Sequence, residues 1–189
     1  MGRALLGQRL VSVRQGRRVV GRIVETEAYL GYRDAAAHSY QWRKTPRTKT
    51  MFADGGTAYV FLNYGIHHLL NVVVARPDQP QAVLIRAVEP LEGLTTIRER
   101  RPKARRDQDL GSGPGKVGAA FAIDRGDDGL DLTRSTTLWL ERAKPTDPQT
   151  GRIVVCPRIG VDYAGPWALA PLRYYLQGNV HVSRRWRAA

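Results

Sequence analysis

The sequence predicts a single α+β domain whose sheet is largely antiparallel. Runs of β-branched residues are separated by short turn signals, and strands joined in this way pair antiparallel. One later apolar stretch instead has helical spacing, with Val117, Ala120 and Phe121 on one face. The chain has 189 residues and no linker-like segment divides it, so the domain is expected to comprise residues 1–189.

The elements follow from the positions of these runs. Strands are predicted as a hairpin within the first 20 residues, and then at residues 21–29, 57–64, 69–75, 82–88, 138–140 and 153–159. A surface helix is predicted over residues 91–106 and a buried helix over residues 115–123. A loop rich in Pro, Thr and Asp covers residues 144–151, and the basic tail from about residue 184 is expected to be frayed.

The composition indicates a polyanionic partner. The formal net charge is +13 and the isoelectric point is about 10.6, although 42% of the residues are apolar. A folded domain this basic is typical of proteins that bind DNA, RNA or an anionic membrane surface. Most of the basic residues are arginines, which grip phosphate with two hydrogen bonds. An arginine-rich proteome without a polyanionic partner would give the same composition.

The cysteine and histidine content argues against a bound metal. Cys156 is the single cysteine, so the sequence excludes a disulfide framework and a thiolate zinc site. The four histidines form no zinc-binding helix motif, and we expect neither a metal nor another cofactor. The sequence shows no signal peptide and no apolar run of membrane-spanning length. We therefore expect a cytoplasmic protein, nucleoid-associated if its source is bacterial, with no membrane contact.

Residues 21–29 form a predicted strand that carries carboxylates where a core strand should be apolar. Because side chains alternate along a strand, Ile23, Glu25, Glu27 and Tyr29 are expected on one face. A carboxylate, an aromatic ring and, after a short loop, His38 together indicate a pocket for a flat ring. The alternative is an edge strand whose glutamates face water, because a buried carboxylate is costly without a compensating partner.

Two further polar residues interrupt apolar strands. Arg86 lies within the run at residues 82–88, and a buried charge there requires an anion such as Glu25 or Glu27. A structural ion pair with no catalytic role would explain Arg86 equally well. Asn71 precedes three valines, and a capping or turn role is its ordinary explanation.

Two segments could contact phosphate. Residues 110–117 form a glycine-rich turn at the start of a helix, but Val117 replaces the hydroxyl residue that a P-loop requires. What remains is a generic anchor with free N–H groups. The loop at residues 40–49 contains Arg43 and Arg47 beside an aromatic residue, which fits phosphate contact or an ordinary solvated loop. Because no nucleophile motif or buried lysine is found, a carboxylate that activates water is favoured over covalent catalysis.

An ordered series of motifs resembles the alkyladenine (3-methyladenine, or methylpurine) DNA glycosylase family. The series comprises GRIVETEAYL at residues 21–30, AAHS at 36–39, TPR at 45–47, Gly65, Asn71, LIRAVEP at 84–90, SGP at 112–114 and Lys116. The resemblance extends over about residues 5–183, nearly the whole chain. It implies a curved, mainly antiparallel sheet with flanking helices and no metal.

The resemblance also implies a monofunctional enzyme of base excision repair. Such an enzyme flips an alkylated or deaminated purine out of double-stranded DNA and hydrolyses its N-glycosidic bond, which leaves an abasic site. The expected partner is duplex DNA that contains a damaged purine such as 3-methyladenine or hypoxanthine, and the protein is expected to act as a monomer. Damaged bases with a positive charge should stack especially well on electron-rich rings.

The roles that the family implies fall on individual positions of this chain. The catalytic group would comprise a general base and two helpers that hold the attacking water: Glu27, Arg86 and the backbone N–H of Ile159. The base pocket would be lined by Tyr29, His38 and Phe61, and Asn71 would obstruct the amino group of normal guanine. The wedge that fills the gap left in DNA would be Tyr64, and Lys116 would lie near the DNA backbone.

The chain departs from the family pattern at two places. Phe61 stands where vertebrate members have tyrosine, so stacking is retained and a hydroxyl contact is lost. His67 and His68 replace a more apolar or aromatic pair beyond the wedge.

Two other functions compete with a glycosylase. A non-catalytic basic module that binds DNA or RNA explains the charge but leaves Glu27 and Arg86 unexplained inside apolar strands. A hydrolase of free nucleosides explains the pocket but leaves the charge unexplained.

Overall fold

The sheet is organised around one long strand, β2 (Arg17–Tyr29). In the computed structural model, which describes residues 1–186, the other strands are β1 (Arg9–Arg14), β3 (Ala58–Asn63), β4 (His67–Val73), β5 (Ala82–Glu92), β6 (Leu138–Glu141), β7 (Ile153–Cys156) and β8 (Arg173–Leu176). The helices are α1 (Leu94–Arg100) and α2 (Pro114–Ala120), and short 3₁₀ turns occupy several loops. The predicted α+β class with a curved antiparallel sheet is confirmed.

The two edges of β2 have different partners. One edge pairs with β5 along most of the strand, and the other pairs first with β1 and then, from Glu25 to Glu27, with β8. The resulting order is β3-β4-β5-β2-β1-β6, with β7 joined to β8. Irregularities in the β2–β5 pairing lie on both sides of Glu25. Bulges of this kind increase local twist and re-aim side chains, and here they occur where the carboxylates lie.

The main core lies between this sheet and α2. Ile23 and Val24 are consecutive and both fully buried in it, so the strict alternation predicted for residues 21–29 is interrupted. Val117 and Phe121 cover the core from the α2 side. The helix approaches β4 so closely that a Cβ placed on Gly118 would lie 2.1 Å from the carbonyl oxygen of His68.

Several element boundaries differ from the prediction. Strand β5 continues to Glu92, so the helix predicted over residues 91–106 is confined to α1, which begins after Gly93 in a left-handed conformation (φ +76°). Strand β7 ends before Pro157, and β8 was not predicted. At the tail, the Trp186 N–H donates to the Tyr175 hydroxyl at 3.0 Å, and residues 187–189 lie outside the described residues.

Gly118→Ala should destabilise the protein by about 2 kcal/mol or more, because the added methyl group overpacks α2 against the β4 backbone. A loss of stability would point to overpacking, because alanine by itself stabilises a helix relative to glycine by about 1 kcal/mol. Urea unfolding of both proteins measures the difference. Gly151→Ala is the control, since nothing lies within 4 Å of its added Cβ, and its effect should stay within about 0.5 kcal/mol. An unchanged or increased stability of Gly118→Ala would contradict the close contact.

Candidate active site

Two carboxylates and an arginine form a buried cluster at the centre of the sheet. Glu25 and Glu27 are both 0% exposed, so the alternative of an edge strand with glutamates facing water is wrong. Arg86, from the neighbouring strand β5, donates from Nε to Glu25 Oε1 at 3.0 Å and from Nη1 to Glu27 Oε2 at 3.2 Å. It therefore binds both candidate anions. Burial by itself would lower the pKa of Arg86, but Glu27 and Glu25 together raise that pKa above its ordinary value.

Groups from the C-terminal third of the chain complete the hydrogen bonds of Glu25. Arg173 Nη1 donates to Glu25 Oε1 at 2.9 Å. The Ser183 N–H donates to Oε2 at 2.6 Å, and the Ser183 hydroxyl donates to Oε1 at 2.9 Å. Sequence reasoning missed both residues, and a charged residue in the short apolar strand β8 was the only available signal for Arg173.

Glu27 has a different set of partners. The Ile159 N–H donates to Glu27 Oε1 at 2.7 Å, and the Tyr29 hydroxyl donates to Oε2 at 3.0 Å. Burial and the carboxylate of Glu27 raise the pKa of Tyr29 well above its ordinary value. The two predicted helpers, Arg86 and Ile159, thus bind the carboxylate of Glu27 itself.

These partners line a cavity of about 300 Å³ that opens beside the cluster. The predicted site residues on its wall are Tyr29, His38, Phe61, Tyr64, Asn71, Arg86 and Ile159. Glu27 lies one layer behind this wall, covered by Tyr29, Arg86 and Ile159. The volume suits one small flat molecule, and the wall is largely aromatic and apolar.

The imidazole of His38 is held between two aromatic rings. Its centroid lies 4.6 Å from that of Phe61 in an edge-on arrangement, and its Nδ1 forms a hydrogen bond of 2.8 Å with the Tyr59 hydroxyl. Burial, together with the charges of Arg47 and Arg43, lowers the pKa of His38 to about 4. The cavity therefore presents a neutral imidazole at neutral pH.

Asn71 is fixed on the cavity wall and does not form a cap or turn. It lies within β4, paired with Tyr59 in β3 and Leu84 in β5, and is nearly fully buried. Its amide nitrogen donates to the Tyr59 carbonyl at 3.2 Å. A buried and hydrogen-bonded amide keeps one orientation toward a molecule in the cavity.

Tyr64 stands at the tip of the β3–β4 hairpin, at the mouth of the cavity. It is 89% exposed and so lies outside the core. Tyr64 and Gly65 both have positive φ angles, +49° and +72°, and the Ile66 N–H donates to the Asn63 carbonyl at 3.1 Å. This is the geometry of a tight type I′ hairpin turn.

The three predicted basic DNA contacts do not line the cavity. Lys116, in α2, donates to the Ser112 hydroxyl at 3.1 Å. Arg43 and Arg47 are exposed and line a separate cavity of about 350 Å³ that shares His38 with the first. Their positions leave them accessible to a polyanion.

A fully buried ion pair fixes the loops around the site, and sequence reasoning missed it. Arg158 donates to both carboxylate oxygens of Asp34, at 2.5 and 2.8 Å, and both side chains are 0% exposed. Asp34 also accepts from the backbone N–H groups of Leu30 and Ala36 at 3.0 Å. The pair thus joins the segment that carries His38 to the one that carries Ile159. The spacing of Asp34 before Ala36 was its one signal, because aspartates often accept from the N–H two residues on.

Among residues 1–186, no helix is long and apolar enough to cross a membrane. No group of three or more His, Cys, Asp or Glu side chains within those residues could hold a metal ion.

Comparison with known proteins identifies the family. The model for the methylpurine-DNA glycosylase family matches residues 1–180. The chain belongs to the methylpurine-DNA glycosylase family. It is 44% identical to the human DNA-3-methyladenine glycosylase over 97% of this chain, and equally identical to the mouse enzyme of that name over the same share. A protein of Methanocella arvoryzae, provisionally named a 3-methyladenine DNA glycosylase, is 45% identical over 98% of this chain and 90% of its own length.

The prediction of this family from the motifs is confirmed. The predicted enzyme class, a DNA-3-methyladenine glycosylase-type hydrolase of N-glycosyl bonds, agrees with the names of these relatives. The chain spans 63% of the length of the human relative and 57% of that of the mouse relative.

His38 should make the stability of the protein depend on pH below about 6.5. Between its ordinary pKa of 6.5 and its folded value of about 4, the unfolded chain takes up a proton that the folded chain does not. The free energy of unfolding should therefore fall as the pH falls through this window, by up to about 3 kcal/mol. His38→Gln should remove this contribution, as measured by urea unfolding at about pH 7 and about pH 4.5. His67→Gln, at the exposed start of β4, is the control. Identical pH dependence in His38→Gln and the unsubstituted protein would contradict the shift.

Proposed function

We propose that this chain is a monofunctional DNA glycosylase that releases alkylated or deaminated purines from duplex DNA and leaves an abasic site. The observation that carries the proposal is the position of Glu27, a fully buried carboxylate whose three partners all line one aromatic cavity. A base pair hides its glycosidic bond, so the damaged nucleotide must first be extruded into such a cavity. The family membership and the names of the relatives support this reading.

In the proposed mechanism, Glu27 is the general base. A water molecule admitted beside Arg86 and the Ile159 N–H loses its proton to Glu27 as it attacks the sugar carbon of the glycosidic bond. The sugar develops positive charge as the purine leaves, and the carboxylate stabilises that charge. Because Arg86 and Ile159 already hold the carboxylate, its orientation is set before the substrate arrives.

The cavity would select the base by stacking and by exclusion. Tyr29, His38 and Phe61 supply rings against which a flipped purine can stack. Asn71 would collide with the 2-amino group of normal guanine, which adenine-type lesions and hypoxanthine lack. No cofactor is needed for this hydrolysis.

Binding to DNA would combine charge with a wedge. A net charge of +13 provides affinity for phosphate that does not depend on sequence and weakens with salt. Lys116, Arg43 and Arg47 are proposed contacts to the backbone, and Tyr64 would fill the space that the flipped nucleotide leaves. We propose that the protein acts as a monomer in the cytoplasm, on the nucleoid if the source is bacterial.

Glu27→Gln should lower the release of free base from an alkylated duplex by at least about 100-fold, because the amide keeps the shape but cannot accept the proton. Single-turnover assays with enzyme in excess measure this step, and binding of damaged DNA should persist. Glu89→Gln, on β5 and bonded to Arg22, is the control and should retain release.

The same assay separates the competing functions. A non-catalytic nucleic-acid-binding module would release no base, and a nucleoside hydrolase would act without the duplex. Release by Glu27→Gln at the unsubstituted rate would remove Glu27 from the mechanism and direct attention to Glu25.

Tyr64→Ala should leave the melting temperature nearly unchanged, because the side chain is 89% exposed. Its affinity for DNA with a damaged purine should fall roughly tenfold, since base–aromatic stacking contributes about 1–3 kcal/mol per ring. Affinity for undamaged duplex is the control and should change much less. An equal loss of affinity for damaged and undamaged duplex would show that Tyr64 contacts DNA without acting as a wedge.

A further inference from the structure

The charges around the base cavity do not balance. The central cluster is neutral, since two buried glutamates face Arg86 and Arg173, and the Asp34–Arg158 pair is neutral as well. Arg47 differs from these arginines because no carboxylate of residues 1–186 lies within ion-pair distance of it. Arg43, in the same segment, also lacks such a partner. These two positive charges exceed the single unpaired carboxylate that acts on Tyr59, that of Asp128, so the net charge on this side of the cavity is positive.

This charge lies against one of the stacking rings. The guanidinium carbon of Arg47 is 5.3 Å from the centroid of the Phe61 ring, within the range of a cation–π contact. Phe61 lines the base cavity, whereas Arg47 lines the neighbouring cavity and not this one. Phe61 is thus a ring that the guanidinium contacts and that a purine in the base cavity would also contact.

The field of Arg47 reaches the base cavity. His38 lies on the walls of both cavities, and after burial the charge of Arg47 is the largest influence that lowers its pKa. A group that disfavours a proton on His38 also disfavours a positive charge on a base stacked beside His38 and Phe61.

Tyr29 provides an internal comparison. Arg158 lies 4.8 Å from the centroid of the Tyr29 ring, a shorter distance than that between Arg47 and Phe61. The Asp34 carboxylate neutralises Arg158 at 2.5 and 2.8 Å, so little net field remains on the Tyr29 side. The electrostatic bias of the cavity therefore comes from the Phe61 side.

We propose that Arg47 is a specificity-determining residue that disfavours purines with a positive charge and so favours neutral damaged purines, an inference that rests on the proposed glycosylase function. Two effects act in the same direction. The guanidinium already interacts with the negative quadrupole of Phe61, and its charge repels a second cation stacked on the same ring. The expectation that positively charged bases stack especially well holds for an isolated ring and is weakened here.

The test is a competition between two lesions in the same DNA sequence. One duplex contains 3-methyladenine, whose nucleotide is positively charged, and the other contains hypoxanthine, which is neutral. Both bases lack a 2-amino group, so Asn71 should not discriminate between them. Because both duplexes have the same phosphates, any general loss of DNA affinity cancels in the ratio of the two release rates.

Arg47→Gln should raise the ratio of 3-methyladenine to hypoxanthine release about threefold or more. Arg47→Lys, which keeps the charge, should leave the ratio close to that of the unsubstituted protein. Lys49→Gln is the matched control, since it removes one exposed charge from the same segment but does not act on His38. Because each ratio is taken within one preparation, partial unfolding does not affect it.

An unchanged ratio in Arg47→Gln would overturn the inference and would fit a guanidinium that is neutralised by the phosphate contact proposed above. An equal rise in Lys49→Gln would also overturn it. Failure of the proposed function gives a different result, because the unsubstituted protein would then release neither base.

Discussion

The structure depends on the compensation of two carboxylates buried in the middle of a β-sheet. Glu25 and Glu27 could not remain ionised there without partners, since desolvation of each charge costs several kcal/mol. Their partners come from β5, β8, the segment after β7 and the residues after β8. The site is therefore complete only when the C-terminal third of the chain has folded against β2. A protein that lost these contacts would lose the site and much of its stability together.

Glu25 and Glu27 have different hydrogen-bond partners although they are only two residues apart. Glu25 is bound by Arg86, Arg173 and Ser183, all of which hold it inside the protein. All three partners of Glu27 also form the cavity wall, whereas Arg86 is the one partner of Glu25 that does so. The irregularities in the β2–β5 pairing lie on both sides of Glu25, and bulges of this kind re-aim side chains.

Much of this arrangement could be predicted from the sequence, because it depends on local residue patterns. Alternating apolar runs predicted most strands, and the charged residues inside them predicted that Arg86 pairs with Glu25 or Glu27. The strand β8 was not predicted, since its four residues are stabilised by pairing with β2 and β7 and have no local signature. The length of β5 and the Asp34–Arg158 pair also depend on partners far away in the chain, which periodicity cannot show.

In the proposed complex with DNA, the backbone of the β3–β4 hairpin tip would affect which of the two molecules changes shape. Tyr64 holds a left-handed conformation that is costly for a residue with a Cβ, and the closed turn with Gly65 maintains it. A turn closed in this way would leave bending and unstacking to the nucleic acid in the proposed complex. Steps that deform cheaply, such as pyrimidine–purine steps and mismatches, would then admit the tip more often than stiff A-tracts. A protein that moves along DNA in this way would insert its tip preferentially at easily deformed steps, before an individual base enters the cavity.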